Sequence, residues 1–335
     1  MEFSEFLRKG MIESFYGGII TRYHIKRRRR VTLFFGDIFI NYVKECEKSG
    51  FRDEMLSAGR EWMFLYFDVL VPPAMKKLPI PLLNVAMKKA WKNIGLMDDF
   101  SIEKKGDTVT IRTKNEAITR VIGNNGFSVG LFMGILNSLY GSVDIVRIRQ
   151  ASRDSVYVFK VGGGEVKIEG KTKSEYDNLN RPQKGGGMNL ESAVRKKILE
   201  LEKGNKIKFR GAPVYLVENT IFHIIGNHGL LLERVQEISY EFFRRMVTSE
   251  ATKEKKLLLL KTLLQSMGWG IVKITIKDGS IEIDIKSPPY GAQKGNDNWD
   301  FLIRAILGYL WIIDRGYSIG DKYERNRHLR VIYSR

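Results

Sequence analysis

The stretch VTLFFGDIF at 31–39 decides the fold, because VYLVENTIF at 214–222 repeats it 183 residues later, aligning Val31 with Val214, Leu33 with Leu216 and Ile38 with Ile221. Further along, FSIEKKGDTVTI at 100–111 parallels VKITIKDGSIEI at 272–283 at a separation of 172, pairing Ile102 with Ile274 and Ile111 with Ile283. Both read as β-hairpins. VGLFMGILNSLY at 129–140 then parallels DFLIRAILGYLW at 300–311 at a separation of 171, setting Leu131, Ile135, Leu136 and Leu139 against Leu302, Ile306, Leu307 and Leu310. The separation falls in chain order, so a few short deletions account for it. A self-similarity of this length means two versions of one unit.

The flanking segments fit that repeat. An opening amphipathic helix is predicted in each half, with Phe3, Leu7, Met11 and Phe15 in the first and Leu190, Val194, Ile198 and Leu201 in the second at helical spacing. After the short strand, helices are predicted at 37–48 and 56–70 in one half and 219–227 and 230–247 in the other. A third helix follows at 81–95 and 255–270, closed by Gly95 or Gly268 in the manner of a C-cap. VDIVRI and VYVFKV end the first half as strands, and LRVIY ends the second. Between them, 161–187 holds two glycine triplets among polar residues and reads as a linker. The expected class is α+β: two tandem copies of a helix-plus-antiparallel-sheet domain, at 1–162 and 188–335 with a glycine-rich linker at 163–187, docked as an intramolecular pseudo-dimer.

Composition bounds the functions. The 335 residues are 43% hydrophobic and 28% charged, which suits two folded domains and excludes a disordered chain. One cysteine, Cys46, excludes an internal disulfide and any cysteine-based metal cluster within one chain, so a reducing compartment is expected. The N-terminal MEFSEFLRKG carries acidic residues and no cleavage site after an apolar core, and no run is long and apolar enough to span a bilayer; a cytoplasmic protein is expected. The 56 Lys and Arg against 38 Asp and Glu give a net charge of +18, which attracts polyanions and acidic surfaces.

Strand, FFGDIFINYVKECEKSG helix, AGREW helix, hairpin, GNNGFSVGLFMGILNSLYGSVDIVRI and DSVYVFKV, taken in that order, resemble the 4-vinyl reductase domain and the related TRAPP vesicle-tethering subunits, with a more distant likeness to haem-NO-binding domains. The resemblance covers about 1–162 directly and 188–335 through the repeat. It implies a helix-and-sheet module that holds an apolar or aromatic small molecule between its helices and often dimerises. It departs from the family where many members carry cysteines: this chain has Asn124, Asn125 and Gly126 before the glycine-rich helix and Arg153, Asp154 and Ser155 later. No thiol, metal or haem-ligand role carries over, and Cys46 does not align with an acylated cysteine.

Gly126, Gly130 and Gly134 recur every four residues and place a stripe of small residues on one helix face, consistent with either close helix packing or a ligand gap. The apolar residues Phe127, Leu131, Phe132 and Ile135, with Trp299, Leu302, Ile303 and Ile306 in the second copy, read as plain core or as pocket walls. Lys26, Arg27, Arg28, Arg29 and Arg30, answered by Lys208 and Arg210 before the second copy, read as a phosphate-binding edge or as a charged strand edge. Nucleotide-binding, zincin and hydrolase motifs are missing, and His24, His223, His228 and His328 make no metal spacing. The loop at 291–300 reads as the lead into the last long helix, with Asp297 or Asn298 as its cap, or as a lid. The expected function is a non-enzymatic module of regulatory or assembly type without cofactor or metal. It would bind an apolar small molecule or a partner protein as a monomer or weak homodimer; the alternative is nucleic-acid binding through the basic edges.

Overall fold

In a computed structural model, which describes residues 12–15, 17–24, 27–93, 95–181, 186–202, 206–247 and 251–335, the chain opens with strands β1 (Ile12–Phe15), β2 (Gly18–His24) and β3 (Arg27–Phe35). Helices α1 (Gly36–Lys48) and α2 (Arg52–Leu65), a π-helical turn at Tyr66–Leu70, and helices α3 (Pro73–Lys76) and α4 (Ile80–Asn93) follow. Next come β4 (Asp99–Lys105), β5 (Thr108–Lys114), α5 (Thr119–Ile122), α6 (Gly126–Tyr140), β6 (Ser142–Arg149) and β7 (Asp154–Gly162). Short helices α7 (Lys173–Leu179) and α8 (Leu190–Arg195) lead to β8 (Glu200–Glu202), β9 (Lys206–Phe209) and β10 (Ala212–Val217). The chain ends with α9 (Thr220–His228), α10 (Leu232–Met246), α11 (Lys253–Ser266), β11 (Ile271–Lys277), β12 (Ser280–Lys286), α12 (Asp300–Leu310), β13 (Ser318–Arg325) and β14 (His328–Ser334). The chain is α+β, and its strand pairings are antiparallel.

Two compact units divide it, and they do not follow the chain linearly. One comprises the described residues up to Tyr42 with Ser174–Gly291 and Asp297–Arg335; the other comprises Val43–Lys173 and Ala292–Asn296. The first unit holds a six-stranded sheet in the order β1-β2-β3-β10-β9-β8 and a four-stranded sheet in the order β11-β12-β14-β13. β3 and β10 pair antiparallel, with Leu33 opposite Leu216 and Phe35 opposite Val214, so strands from both predicted domains share one sheet. That pairing moves the division away from residue 162 into α1, between Tyr42 and Val43.

The second unit holds the sheet β4-β5-β7-β6. Position for position, its strand order matches that of β11-β12-β14-β13. Each edge strand that follows a long helix also carries an irregularity, between Ile145 and Arg147 in β6 and between Ile319 and Lys322 in β13. Such bulges twist an open edge away from further pairing. The hairpins turn at Gly106 and Gly279, where φ is +59° and +69°, values that a residue without a Cβ adopts at no steric cost.

Three expectations are corrected, and another only at its described end. Residues 1–11 of the first opening helix lie outside the described residues, and Phe15, placed on its apolar face, lies in β1. Its counterpart stops at Arg195: Lys197 takes φ +56°, Ile198 N bonds back to Ala193 O, and Leu201 lies in β8. The segment at 163–187 is not a bare linker, because it contains α7, where Tyr176 is fully buried, and Gly170 bridges to Gln293. The second copy also ends in two strands, β13 as well as β14. The polar stretch SIGDKYER of β13 has no apolar alternation because it is a solvated edge, exposed at nearly every position.

Helix α6 is buried on all sides from Gly126 to Asn137, as its uncharged sequence requires. Asn125 caps it, its Oδ1 accepting from Ser128 N at 2.8 Å. At α12 the capping position is Trp299, which makes no side-chain cap bond, and neither Asp297 nor Asn298 holds that place; Asn298 Oδ1 accepts from Asp300 N at 2.8 Å, and Asp297 Oδ1 accepts from Gly291 N at 2.7 Å.

Candidate functional site

The small-residue stripe of α6 lies directly on the backbone of α2. A Cβ added at Gly126, Gly130 or Gly134 would come under 3.0 Å from main-chain atoms of Arg52, Leu56 and Arg60 or Phe64, and one at Gly59 would meet Phe127 O. The gap that the stripe opens is filled by the neighbouring helix. Phe127, Leu131, Phe132 and Ile135 are core, at most 6% exposed. The Phe132 ring lies tilted 4.6 Å from Tyr157 and stacked 5.9 Å from Trp91.

In the other unit, Trp299, Leu302, Ile303 and Ile306 are also buried, and here a cavity remains. Leu302 and Ile306 line it together with Phe34, Phe35, Trp269 and Tyr309, and its volume is about 30 Å³. That is about the share of one water molecule in the liquid. Ligand pockets of roughly 300–1,000 Å³ are an order of magnitude larger. Trp299 faces a different neighbourhood: its Nε1 donates to Glu324 Oε2 at 3.0 Å and its ring meets His223 edge-on at 4.5 Å.

Trp299 borders a buried polar cluster centred on Ser287–Gly291. His223 is 1% exposed; its Nδ1 lies 2.9 Å from Asn298 O and its Nε2 3.0 Å from Pro289 O. Which ring nitrogen donates depends on the tautomer, and Asp297 Oδ1 lies 3.6 Å from Nε2. Asn180 clamps Tyr290 like a strand partner, donating to its carbonyl at 3.0 Å and accepting from its N–H at 2.9 Å. Tyr176 OH donates to Glu218 Oε1 at 3.0 Å, and Glu218 also accepts from Thr220 N and Oγ1 at the start of α9. Burial and the adjoining Glu218 carboxylate push the Tyr176 phenol well up.

Arg30 belongs to the same cluster. Its Nη2 donates to Gly17 O at 2.9 Å and Gly268 O at 3.1 Å, and its Nη1 to Ser287 Oγ at 3.3 Å and Pro288 O at 3.4 Å. Burial pulls its guanidinium down to about 9. Ser287 Oγ accepts from Arg327 Nη2 as well, at 2.7 Å. Arg30 thus ties β3 to the end of β12 and cannot serve a phosphate while those bonds stand. Arg29 is likewise 3% exposed. Arg29 and Arg30 therefore form no exposed basic surface: a strand sends alternate residues to opposite faces, and at these two positions both faces are covered. Lys26 lies outside the described residues, and Arg27 and Arg28 are described only as backbone of β3. Lys208 bonds to Glu202 at 2.6 Å. Arg210, at φ +50°, donates to Met246 O and lies over the Phe209 ring at 5.5 Å.

A second polar cluster, not anticipated from sequence, occupies the other unit beside the start of α6. Glu116, 5% exposed, accepts from Thr113 Oγ1, from Thr119 Oγ1 at 2.5 Å and from Tyr157 OH at 2.9 Å. Burial pushes its carboxyl up, and the hydroxyl donors work in the opposite direction. Gln150 donates to Tyr157 OH at 3.1 Å and exchanges bonds with the backbone of Asn125. Glu47 accepts from Gly126 N at 2.6 Å and from Arg52 at 3.1 Å. The Thr113-x-x-Glu116-x-x-Thr119 spacing was the available signal for the first of these groups. Tyr176 and Glu218 are 42 positions apart, and no local pattern joins them.

Both clusters pair donors with acceptors and seat a helix start. Among the described residues, no group of three or more His, Cys, Asp or Glu is placed to hold a metal ion, and Cys46 is buried. No family model, curated protein or solved structure matches the chain.

Proposed function

We propose that the chain is a non-enzymatic tandem module of assembly type, which meets its partners through its outer surface and not through an internal ligand. The observation that carries this is the packing among the described residues: α6 seats on α2 without room for a methyl group, and the cavity beside Leu302 and Ile306 holds about 30 Å³. In both polar clusters the side chains hold loops and helix starts: Arg30 and Asn180 fix the Ser287–Gly291 segment, and Glu116 gathers the hydroxyls of Thr113, Thr119 and Tyr157.

The tandem arrangement has separate support. Leu33 and Leu216, aligned by the 183-residue separation, lie directly opposite each other in the β3–β10 ladder, as residues on a local two-fold axis do. The repeated strand order and the repeated edge bulge favour the same reading, in which two related copies meet through equivalent strands. Joining them in one chain raises their effective concentration.

Native mass spectrometry of gently purified protein, followed by titration with an apolar fluorescent probe, tests this reading. The expected result is the bare polypeptide mass and no saturable probe binding. A stoichiometric retained small molecule would move the function into the interior, to the cavity lined by Leu302 and Ile306.

A further inference from the structure

Between Val71 and Asn93 the chain carries five lysines and no acidic residue. Asp68 holds Lys76 at 2.8 Å and Asp99 holds Lys88 at 2.7 Å, while Lys77, Lys89 and Lys92 stand at exposed positions. Helix α4 turns Leu83, Met87 and Trp91 inward, each 7% exposed or less. Its opposite face, at spacings of three and four residues, reads Leu82, Val85, Lys89, Lys92. Leu82 is 55% and Val85 64% exposed, with Pro81 exposed beside them. Single exposed leucines are common on protein surfaces. Two aliphatic side chains one turn apart, continued along the same face by lysines whose own stems are apolar, form a two-zone surface instead.

We propose that this face of α4 docks on an anionic lipid surface, with Leu82 and Val85 entering the headgroup layer and Lys77, Lys89 and Lys92 contacting its phosphates and carboxylates. A fluid headgroup layer covers an exposed helix face without a preformed groove, and the lysines offer one sign of charge to a surface of the other. Attachment is peripheral and weakens with salt, since no helix of the described residues is long and apolar enough to cross a bilayer. The inference stands apart from the interior: it survives whether or not a ligand is retained there.

Sedimentation of the full chain with vesicles of phosphatidylcholine, with and without phosphatidylserine, provides the test. A net charge of +18 gives some attraction to any anionic vesicle, so the decisive arms are variants. Lys77→Gln, Lys89→Gln and Lys92→Gln together are expected to lower partition on the order of 100-fold, from about fivefold per lysine. The same change at Lys196, Lys255 and Lys286, exposed lysines of the other unit, serves as the control and is expected to lower it far less. Leu82→Ser with Val85→Ser is expected to cost about tenfold at unchanged charge. These positions are exposed, and unchanged thermal unfolding of each variant verifies the fold. Equal losses from the two lysine triplets, or no loss from the Leu82 and Val85 changes, would overturn the proposal. So would retention on an acidic polypeptide matrix without any vesicle partition.

Discussion

Helices α6 and α12 occupy corresponding places in the repeat, yet they meet their neighbours differently. At the separation that aligns Leu131 with Leu302, Gly130 and Gly134 correspond to Phe301 and Ala305. Where the glycines stand, α6 lies backbone to backbone on α2. In the other copy a comparable approach occurs one turn later, at Gly308, where an added Cβ would meet Gln236 O and Ser239 of α10. Phe301 instead fills its site with a ring 5.3 Å from those of both Phe222 and Tyr42, and Ala305 lines the small cavity. A glycine stripe is thus a packing device in this chain, and the small cavity lies beside the helix that lacks one.

The strongest way to break that comparison is to give the first copy the second copy's bulk. Gly134→Val places a branched Cβ against the Arg60 carbonyl, a main-chain atom that cannot rotate away. The expected loss is about 3 kcal/mol or more, read from the urea midpoint, because overpacking against backbone forces the helices apart. A loss under about 1 kcal/mol, which helix propensity can offset, would show that α2 and α6 slide freely and that the stripe does not set their distance.

The two polar clusters extend the comparison. Both lie where the chain enters the long helix, but one cages a carboxyl with hydroxyls and the other uses Arg30, His223 and backbone carbonyls. Glu116→Ala leaves the hydroxyls of Thr113, Thr119 and Tyr157 without their acceptor, at an expected cost of about 2–3 kcal/mol. Glu116→Gln has a different signature. The folded state holds this carboxyl above its ordinary range, so the folded chain takes up the proton more readily than the unfolded one. Its contribution is present in full below the unfolded value and is lost as pH rises through the raised folded value. The urea midpoint of the wild-type chain should therefore fall relative to that of Glu116→Gln across this window. Subtracting the two curves removes Asp37 and Glu47, whose carboxyls burial also pushes up. Parallel curves would mean that Glu116 ionises as it does in water.

How much of this was legible depends on the range of the interactions. The hairpins, the long helices and the glycine closures at Gly95 and Gly268 follow from local alternation, helical spacing and backbone conformation, and their positions agree with the sequence to within a few residues. Three features were hidden because distant partners decide them. Arg29 and Arg30 read as an exposed charge run until Gly268, Ser287 and Pro288, more than 230 positions away, supply acceptors for Arg30. The glycine-rich segment reads as a linker until Tyr176 finds Glu218. The equivalence of Leu33 and Leu216 was visible in sequence, but their pairing was not, because a strand does not state its neighbour.

The finest test leaves the glycines alone and works on the space in the second copy. Ala305→Val adds two methyl groups beside a cavity of about 30 Å³. Filling it gains buried contacts, and the excess volume strains Leu302, Ile306 or Tyr309, so the two effects nearly cancel and the net change should stay within about 1 kcal/mol. The same side chain at Gly134 is expected to cost several times as much, although the two positions correspond in the repeat. If Ala305→Val proves as damaging as Gly134→Val, α12 is as tightly seated as α6, and the cavity reflects an irregular fit of side chains and not the lack of a stripe.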